Sequence, residues 1–155
     1  MLIYLYAYKG ANIYYAQSLE TIGDDMKEVK PHIFSAVPRL LEKVFSKIIA
    51  KGKELTGIKK TLFFWAVRLA ERFEYYGKNG VIYDMKLAIA RKLIFSKWKE
   101  ALGGEVQLAA SGSAALSPRL NRIFNAAGIP VMEGFGLTET SPVISVNEID
   151  NEGVR

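Results

Sequence analysis

The sequence predicts an α/β fold in which the strands of a parallel sheet alternate with helices. Two features lead to this prediction. The last third of the chain has short apolar runs that are each followed by a loop, and the middle has longer stretches with apolar residues three and four positions apart. The chain has 155 residues, of which 50% are hydrophobic and 24% are charged, and this suffices for one domain with a hydrophobic core.

The chain opens with two apolar runs, residues 2–8 and 12–16, which are separated by a Lys-Gly pair. Their periodicity fits a strand as well as a helix, so both interpretations stay open. The runs are too short to span a bilayer, and no basic segment of a signal peptide precedes them. Both ends of the chain start and stop abruptly, so we expect residues 1–155 to be an internal fragment of a larger protein.

A short helix and a strand are predicted next. The polar residues 18–25 are suited to cap a helix over residues 26–30, which a proline then ends. Residues 33–37 form a β-prone run and predict a strand, which is again followed by a proline. Residues 1–38 are therefore the first of three predicted parts of the chain.

The second predicted part, residues 39–102, is a long helical segment. An amphipathic helix begins at Arg39 and ends near residues 52–57. A second helix spans residues 59–76 and a third spans residues 83–102, and glycines follow both. We expect the buried stripe of the second helix to consist of Leu62, Trp65, Leu69, Phe73 and Tyr76. A surface for lipid is the alternative use of this stripe.

The third predicted part, residues 103–155, begins with a strand, a loop and a helix. A buried strand over residues 106–110 leads into the small-residue loop Ser111–Ala115. Ser117 and the proline after it predict the cap and first turn of a helix, which Gly128 ends. The residues expected on the buried side of this helix are Leu120, Ile123 and Phe124.

A second strand and loop complete this part. Residues 129–133 predict a short strand, the loop Gly134–Ser141 follows, and residues 143–146 are a candidate third strand. Strand, helix and strand in this order are how a parallel sheet is wound. Because such sheets bind ligands at the carboxyl ends of their strands, we expect the two loops to lie side by side at that edge.

Positive charge is concentrated in the middle of the chain. The net charge is +5, and residues 59–100 contain ten Lys and Arg against four Asp and Glu, whereas residues 101–155 contain three against six. A basic segment suits an anionic membrane surface or other phosphate groups. The alternative is an ordinary solvated helical face whose acidic partners lie elsewhere in the fold.

The contents of cysteine and histidine limit the possible metal sites. The chain has no cysteine, which excludes disulfides and thiolate ligands and fits a reducing compartment. It has one histidine, His32, which we interpret as structural, so a structural zinc site is not expected. The composition still allows an oxygen-ligated hard cation such as Mg²⁺.

The loop Gly134–Ser141 has the residues of a nucleotide site. Its start resembles a dinucleotide fingerprint, but Glu139 stands where the third glycine is needed, so we reject a Rossmann site. A purine stacked on Phe135, a phosphate bonded by Thr138 and Mg²⁺ held by Glu139 form a coherent arrangement. Gly136 allows close backbone approach. The alternative is a tight turn whose Thr and Glu cap the next element.

The loop Ser111–Ala115 is suited to line a flat pocket in which no side chain obstructs a planar ring. A serine nucleophile is the rival interpretation. Neither Ser111 nor Ser113 lies in a G-x-S-x-G elbow, and the candidate base, His32, is nearly eighty residues away. We therefore do not expect a hydrolase triad.

Taken together, the two loops resemble those of the adenylate-forming superfamily, which includes acyl-CoA synthetases, luciferases and peptide-synthetase adenylation domains. EGFGLTET is similar to the Tyr-Gly-x-Thr-Glu signature, with Phe135 in place of Tyr. SGSAALSP resembles the SGGAPLSP loop, with Ser113 for Gly and Ala115 for Pro. KPHIFSAVPRLLEKVFSKI resembles a segment of long-chain acyl-CoA synthetases. The resemblance covers nearly the whole chain and implies part of the large N-terminal domain of such an enzyme.

The resemblance also implies a reaction. A carboxylic acid attacks the α-phosphate of ATP, which gives acyl-AMP and pyrophosphate, and the thiol of CoA then displaces AMP. By the same resemblance, Thr138 contacts the phosphate and Glu139 holds Mg²⁺, and these two are the candidate catalytic residues. The residues it assigns to nucleotide binding are Gly112, Ser113, Ala114, Phe135, Gly136 and Thr138.

The long helical segment favours the long-chain branch of the family, so the expected substrates are a long-chain fatty acid, ATP and CoA. The family's phosphate loop, its ribose-binding Asp and its C-terminal catalytic Lys have no counterpart in the sequence. We therefore expect the 155-residue chain alone not to form acyl-CoA. We expect a cytoplasmic location, with scope for contact with the inner face of a membrane, and no nucleic-acid partner.

Two alternative functions stay open at this point. The first is a non-enzymatic basic helical module that binds a membrane surface or nucleic acid, which the charge of residues 59–100 favours. The second is another ligase of the same superfamily, which only a substrate profile would distinguish.

Overall fold

The structure is a computed structural model that describes residues 2–18, 20–75, 78–137, 139, 143–146, 149–150 and 153–154. Its helices are α1 Leu2–Tyr8, α2 Ile22–Val29, α3 Pro38–Glu54, α4 Gly57–Glu71, α5 Val81–Ala90, α6 Ser96–Ala101 and α7 Pro118–Ala126, with a π-helical turn Arg91–Phe95 between α5 and α6. Its strands are β1 Ile33–Ala36, β2 Leu108–Ser111, β3 Val131–Phe135, β4 Ser145–Val146, β5 Ile149–Asp150 and β6 Gly153–Val154.

The sheet confirms the α/β prediction. In the described part of the chain its strand order is β1-β2-β3-β4, in which β1, β2 and β3 run parallel and β4 pairs antiparallel with β3. The chain crosses from β1 to β2 through α3 to α6, and from β2 to β3 through α7. The candidate third strand over residues 143–146 is present as β4, but its antiparallel pairing with β3 was not predicted. The β5–β6 hairpin was not predicted either.

The two strands that precede the candidate loops extend further along the chain than predicted. β2 ends at Ser111 instead of 110, because Ser111 pairs with Ala36 of β1 and with Glu133 of β3. β3 extends to Phe135 instead of 133, because Gly134 and Phe135 pair with β4. The start of each predicted loop is therefore fixed by strand pairing.

The start of the chain is helical. Residues 2–8 form α1, which settles the choice between strand and helix, and residues 12–16 have no regular structure. The next helix, α2, begins four residues before the predicted Met26, and the N-cap residue Thr21 makes no side-chain capping bond. The C-cap residue Lys30 follows the helix in the left-handed conformation (φ 49°), and its N–H donates to the Met26 carbonyl.

The predicted buried stripe of the second helix is confirmed only in part. The residues that α4 buries are Phe63, Ala66, Val67 and Ala70. Leu62 is exposed, and Trp65, Leu69 and Phe73 are half-buried beside the core; Tyr76 lies outside the described residues. The alanines face inward because α4 packs between α3, α5 and α7, where small side chains permit close approach.

The lengths of two helices also differ from prediction. α4 ends at Glu71 instead of 76, because Asn79 accepts a hydrogen bond from the Glu74 N–H (2.9 Å) and donates one to the Arg72 carbonyl (2.8 Å). The predicted third helix is present from Val81 to Ala101 but contains the π-helical turn. Helix α7 starts and ends as predicted and buries the predicted residues, although the Ser117 hydroxyl makes no capping bond.

The core joins the helical segment to the sheet. Trp98 lies against three phenylalanine rings, with ring centroids 4.9, 5.9 and 6.3 Å away for Phe95, Phe63 and Phe45. The largest fully buried side chains are Phe95, Phe124, Leu41, Ile123, Ile129 and Val131. Within the described residues, no helix is both long and apolar enough to cross a membrane.

Candidate functional site

The two candidate loops follow neighbouring parallel strands, as predicted. The register pairs Ser111 with Glu133, so both strands end at the same edge of the sheet. The backbones are close there: a Cβ atom placed on Gly112 would lie 3.7 Å from the Gly134 carbonyl oxygen. This edge is where parallel αβ sheets bind ligands.

The first loop consists of small residues, most of which are exposed to solvent. Gly112 is half-buried, and Ser113, Ala114 and Ala115 are exposed. Ser113 has a φ of 72°, which is the left-handed conformation that favours glycine. The related SGGAPLSP loop has glycine at this position, so the backbone shape of the loop explains why that residue type is usual there.

The second loop presents an aromatic ring at the same edge. Phe135 is the last residue of β3 and its side chain is 63% exposed, while its carbonyl accepts a hydrogen bond from the Ile144 N–H at 2.8 Å. Gly136 and Glu139 are also exposed. Thr138 lies outside the described residues, so the structure brings Gly112–Ala114, Phe135 and Gly136 to one edge without describing Thr138.

Glu133 and Asn121, which the sequence did not single out, contribute hydrogen bonds that connect the two loops. One Glu133 carboxylate oxygen accepts the Leu116 N–H at 3.3 Å, and the other accepts the Asn121 side-chain amide at 2.6 Å. Leu116 follows the first loop, and Glu133 immediately precedes the second. The sequence contains one signal for Glu133, namely a carboxylate at the end of a predicted buried strand. A buried carboxylate requires hydrogen-bond partners.

Ser111 carries a buried hydroxyl at the carboxyl end of β2. The residue is only 3% exposed, and its Oγ has no hydrogen-bond partner among the described residues. An unsatisfied buried hydroxyl is uncommon and calls for a water molecule or a ligand atom.

An open groove of about 540 Å³ adjoins the first loop. One side is the start of α3, including Arg39 and Glu42, and the other side is Ser113–Ala115. The groove therefore lies between the residues that follow β1 and the first candidate loop.

The serine-hydrolase alternative does not fit the strand geometry. His32 immediately precedes β1, at the amino edge of the sheet, whereas Ser111 ends β2 at the carboxyl edge. With Ile33 paired to Leu108, the two edges are about 10 Å apart at about 3.3 Å per residue. The backbone of His32 has a structural role, since its carbonyl accepts the N–H groups of Gln107 and Leu108.

The described residues contain no cluster of three carboxylate or imidazole side chains that could hold a metal ion by themselves. Glu139 is an exposed, single carboxylate in the loop after β3. One protein carboxylate is compatible with Mg²⁺, which keeps several waters and completes its shell with substrate phosphates.

Comparison with known proteins agrees with the geometry of these loops. Residues 1–154 match the model of a family described as AMP-binding enzyme. Long chain acyl-CoA synthetase 6, peroxisomal, of Arabidopsis thaliana is 37% identical over 131 residues, which cover 83% of this chain and 18% of that protein. Long-chain-fatty-acid–CoA ligase 5 of Rattus norvegicus is 35% identical over 134 residues, which cover 86% of this chain and 19% of that protein.

The chain spans about a fifth of the length of the curated relatives it matches. The family match extends over all three predicted parts, including the helical segment and both loops. Together with the two adjacent loops at the carboxyl edge of a mostly parallel sheet, this match establishes that the chain belongs to the AMP-binding enzyme family.

Proposed function

We propose that this chain forms one wall of the adenylate site of an ATP-dependent long-chain acyl-CoA synthetase. The observation that carries the proposal is the adjacency of a flat, small-residue loop and an exposed phenylalanine ring at the carboxyl edge of parallel strands. A planar adenine fits between such surfaces, because a ring face attracts it on one side and no side chain obstructs it on the other.

In this proposal, each loop has its own task. Gly112, Ser113 and Ala114 line the adenine pocket, Phe135 stacks on the ring, and the adjacent Gly136 lets the backbone come close to the nucleotide. The exposure of the Phe135 ring and of Ser113, Ala114 and Gly136 supports these roles, because a nucleotide has access to them.

The proposed catalytic residues are Thr138 and Glu139. Expulsion of pyrophosphate requires neutralisation of the charge on the phosphates, and Mg²⁺ supplies that charge when it is bound. Glu139 would hold the ion, and the Thr138 hydroxyl would donate to a phosphate oxygen. The remaining contribution of the protein is to orient the reacting groups.

The proposed substrates are a long-chain fatty acid, ATP and CoA. Relatives whose names specify long-chain acyl-CoA synthesis support this assignment. We further propose that the 155-residue chain alone does not form acyl-CoA and that it acts as part of a cytoplasmic enzyme.

A chimera provides the test. This chain would replace the matching segment of Arabidopsis long chain acyl-CoA synthetase 6, and fatty-acid-dependent formation of acyl-CoA from ATP and CoA would be measured. We expect an active chimera that loses activity about a hundredfold or more with Glu139→Ala, the order seen when one group that stabilises transition-state charge is removed. Glu105→Ala, which alters an exposed carboxylate outside the loops, is the matched control.

Two results would contradict the proposal. One is an active chimera in which Glu139→Ala and Glu105→Ala behave alike. The other is formation of acyl-CoA by the 155-residue chain alone, because the chain would then need no further segment for the reaction.

Contact with a membrane surface is proposed through the exposed face of α5 and the π-helical turn. Apolar side chains that are 50–76% exposed recur there at every fourth position, namely Val81, Met85, Ile89 and Leu93. Exposed lysines lie along the same segment, namely Lys86, Lys92 and Lys97. Apolar and basic residues together favour an anionic lipid interface.

The membrane proposal is tested by sedimentation with vesicles of mixed phosphatidylcholine and phosphatidylserine. We expect the chimera to bind them in a salt-sensitive manner and expect Met85→Asp to weaken binding. Binding that is equally strong to pure phosphatidylcholine, or unchanged by Met85→Asp, would contradict this surface.

A further inference from the structure

A carboxylate lies between the two loops and α7. Glu133 is half-buried in β3 and accepts two hydrogen bonds, one from the backbone N–H of Leu116 at 3.3 Å and one from the side-chain amide of Asn121 at 2.6 Å. Both of these partners are donors. Position 133 therefore requires a group that accepts at both oxygens, which a carboxylate does and a carboxamide does not.

The orientation of the Asn121 amide is also fixed. Its Oδ1 accepts the Tyr75 hydroxyl at 2.7 Å and the Asn125 amide at 2.6 Å. Asn125 is nearly fully buried and donates again to the Asn121 carbonyl at 2.8 Å. Because two donors occupy the oxygen, Asn121 presents its own Nδ2 to Glu133. We call the hydrogen-bonded pair of Glu133 and Asn121 the strut.

The strut acts on both walls of the candidate adenine pocket. Leu116 is 4% exposed and closes the loop that Gly112 begins, so its hydrogen bond to Glu133 fixes the far end of that loop. Along a strand, side chains two residues apart lie on the same face, which places Glu133 and Phe135 on one face of β3. One carboxylate therefore relates the position of the first loop to the strand that carries the aromatic ring.

We propose that Glu133 is a positioning residue that sets the spacing between the loop at residues 112–115 and the Phe135 ring, with Asn121 as the partner that holds its carboxylate in place. This inference rests on the proposed adenylate site. It assigns no contact between Glu133 and substrate. Its expected effect is on nucleotide affinity, because a displaced loop leaves a planar ring less well enclosed.

The hydrogen-bond polarity makes a reciprocal exchange possible. Glu133→Gln alone sets an amide donor against either the Leu116 N–H or the Asn121 amide, so one bond is lost. Asn121→Asp alone sets two carboxylates about 2.6 Å apart. In the double variant, the new carboxylate on α7 accepts from Tyr75, Asn125 and the new carboxamide on β3, whose oxygen accepts the Leu116 N–H. Every donor again meets an acceptor.

The test uses the chimera for kinetics and the 155-residue chain for amide hydrogen exchange. With ATP as the probe, we expect each single variant to raise the KM for ATP about tenfold, the order of one lost charge-assisted hydrogen bond, with kcat changed much less. We expect the double variant to return KM to within about threefold of the original. Glu105→Gln and Gln107→Glu, which make the same two kinds of exchange at exposed positions, should leave KM unchanged.

The Asn121→Asp variant adds a pH readout. Two adjacent carboxylates share a proton more readily than they ionise together, so the KM for ATP should fall as the pH is lowered from about 8 to about 6. The original sequence and the double variant should lack this trend. A purely structural loss of stability would not produce a defect that is corrected at lower pH in one variant alone.

Failure of the strut and failure of the proposed function give different results. Exchange of the Leu116 amide should accelerate in both single variants and slow again in the double variant. Unchanged exchange in the single variants would overturn the strut, whatever the affinity for ATP. Altered exchange with an unchanged KM would overturn its positioning role. A chimera that neither binds nor uses ATP would overturn the proposed function, while hydrogen exchange would still decide on the strut.

Discussion

At the scale of single residues, the first candidate loop has two locally unfavourable features. Ser113 adopts a φ of 72°, where a Cβ atom is crowded by the neighbouring backbone, yet its side chain is exposed. The hydroxyl of Ser111 is buried without a partner among the described residues. Strain and unsatisfied polar groups concentrate at functional sites, where they are retained for the sake of ligand binding.

Ser113→Gly tests whether the loop backbone imposes this conformation. Glycine adopts positive φ without steric cost, so we expect the free energy of unfolding of the chain to rise by about 1 kcal/mol. Ala114→Gly is the matched control, and it should lower the free energy of unfolding by about 0.5 kcal/mol because glycine adds freedom to the unfolded chain. Urea denaturation measures both. Destabilisation by Ser113→Gly would mean that the loop does not hold position 113 at positive φ.

Much of the geometry of the candidate site could be predicted from the sequence, because loop motifs are local signals. The parallel arrangement followed from a strand–helix–strand pattern, and it placed the two loops at one edge, as observed. The strut was missed because Leu116, Asn121 and Glu133 are brought together only by the winding of α7 between the two strands. Hydrogen bonds between elements have no sequence periodicity by which they could be found.

At the scale of secondary-structure elements, prediction succeeded where one helix face or strand carries its own pattern. The buried side of α7 was predicted correctly because Leu120, Ile123 and Phe124 form one apolar stripe between polar residues. The buried face of α4 was predicted only in part, because the helix is apolar around most of its circumference and its neighbours decide which side is buried. Sequence does not reveal those neighbours.

Gly52 tests the packing of α3 against α4. It lies inside α3, where alanine would normally favour the helix by about 1 kcal/mol. A Cβ atom at this position would overlap the Phe63 ring of α4. We therefore expect Gly52→Ala to lower the free energy of unfolding by about 1–3 kcal/mol, the usual cost of overpacking.

The matched control for this packing test is Gly23→Ala in α2. No atom lies within 4 Å of a Cβ placed there. It should raise the free energy of unfolding by up to about 1 kcal/mol, because only helix propensity changes. Chemical denaturation of the two variants distinguishes the effects. Equal behaviour of the two variants would contradict the observed contact between Gly52 and Phe63.

Tyr83 links α5 to α4, and its ionisation lowers the free energy of unfolding at alkaline pH. Its hydroxyl donates to the Leu69 carbonyl at 2.7 Å, and burial raises its pKa to about 12. In the unfolded chain the phenol has a pKa of about 10. The folded state thus holds the proton more tightly. The resulting contribution to the free energy of unfolding is fully present below about pH 10 and is lost as the pH rises towards about 12.

Tyr83→Phe is the corresponding variant. We expect it to lower the free energy of unfolding by about 1 kcal/mol near neutral pH, since it removes one hydrogen bond. It should also reduce the loss of stability between about pH 10 and about pH 12. Tyr14→Phe, at a 67% exposed position, is the control and should change neither quantity. An alkaline loss of stability that is the same in Tyr83→Phe and the original would contradict the assignment.

At the scale of the whole molecule, hydrogen bonds and an ion pair connect the helical segment, residues 39–102, to the segment that carries the loops, residues 103–155. The Tyr75 hydroxyl donates to Asn121, and Arg119 pairs with Glu71 at 2.5 Å. The Arg91 guanidinium donates to the Ala126 carbonyl at 2.8 Å, at the C-terminal end of α7. Hydrogen bonds therefore cross the predicted division at residue 102.

The π-helical turn carries a residue that connects the helical segment to α7. It begins at Arg91, whose guanidinium reaches the last carbonyl of α7 across 35 residues of sequence. A cation at a helix C-terminus is favourable because the unpaired carbonyls carry partial negative charge. The helical segment thereby supports the same helix whose other residues hold Glu133.

Arg91→Ala tests whether residues 39–102 and 103–155 behave as one cooperative unit. We expect it to lower the free energy of unfolding by about 1–2 kcal/mol, through loss of a charge-assisted hydrogen bond and a helix cap. Lys92→Ala, at the exposed neighbouring position, should have little effect. In native-state hydrogen exchange, Arg91→Ala should reduce the protection of amides in α4, α7 and β3 by the same free energy, because these elements share the core that opens. Loss of protection in α7 and β3 with α4 unaffected would mean that the two segments unfold separately, and the hydrogen bonds between them would then contribute little to cooperativity.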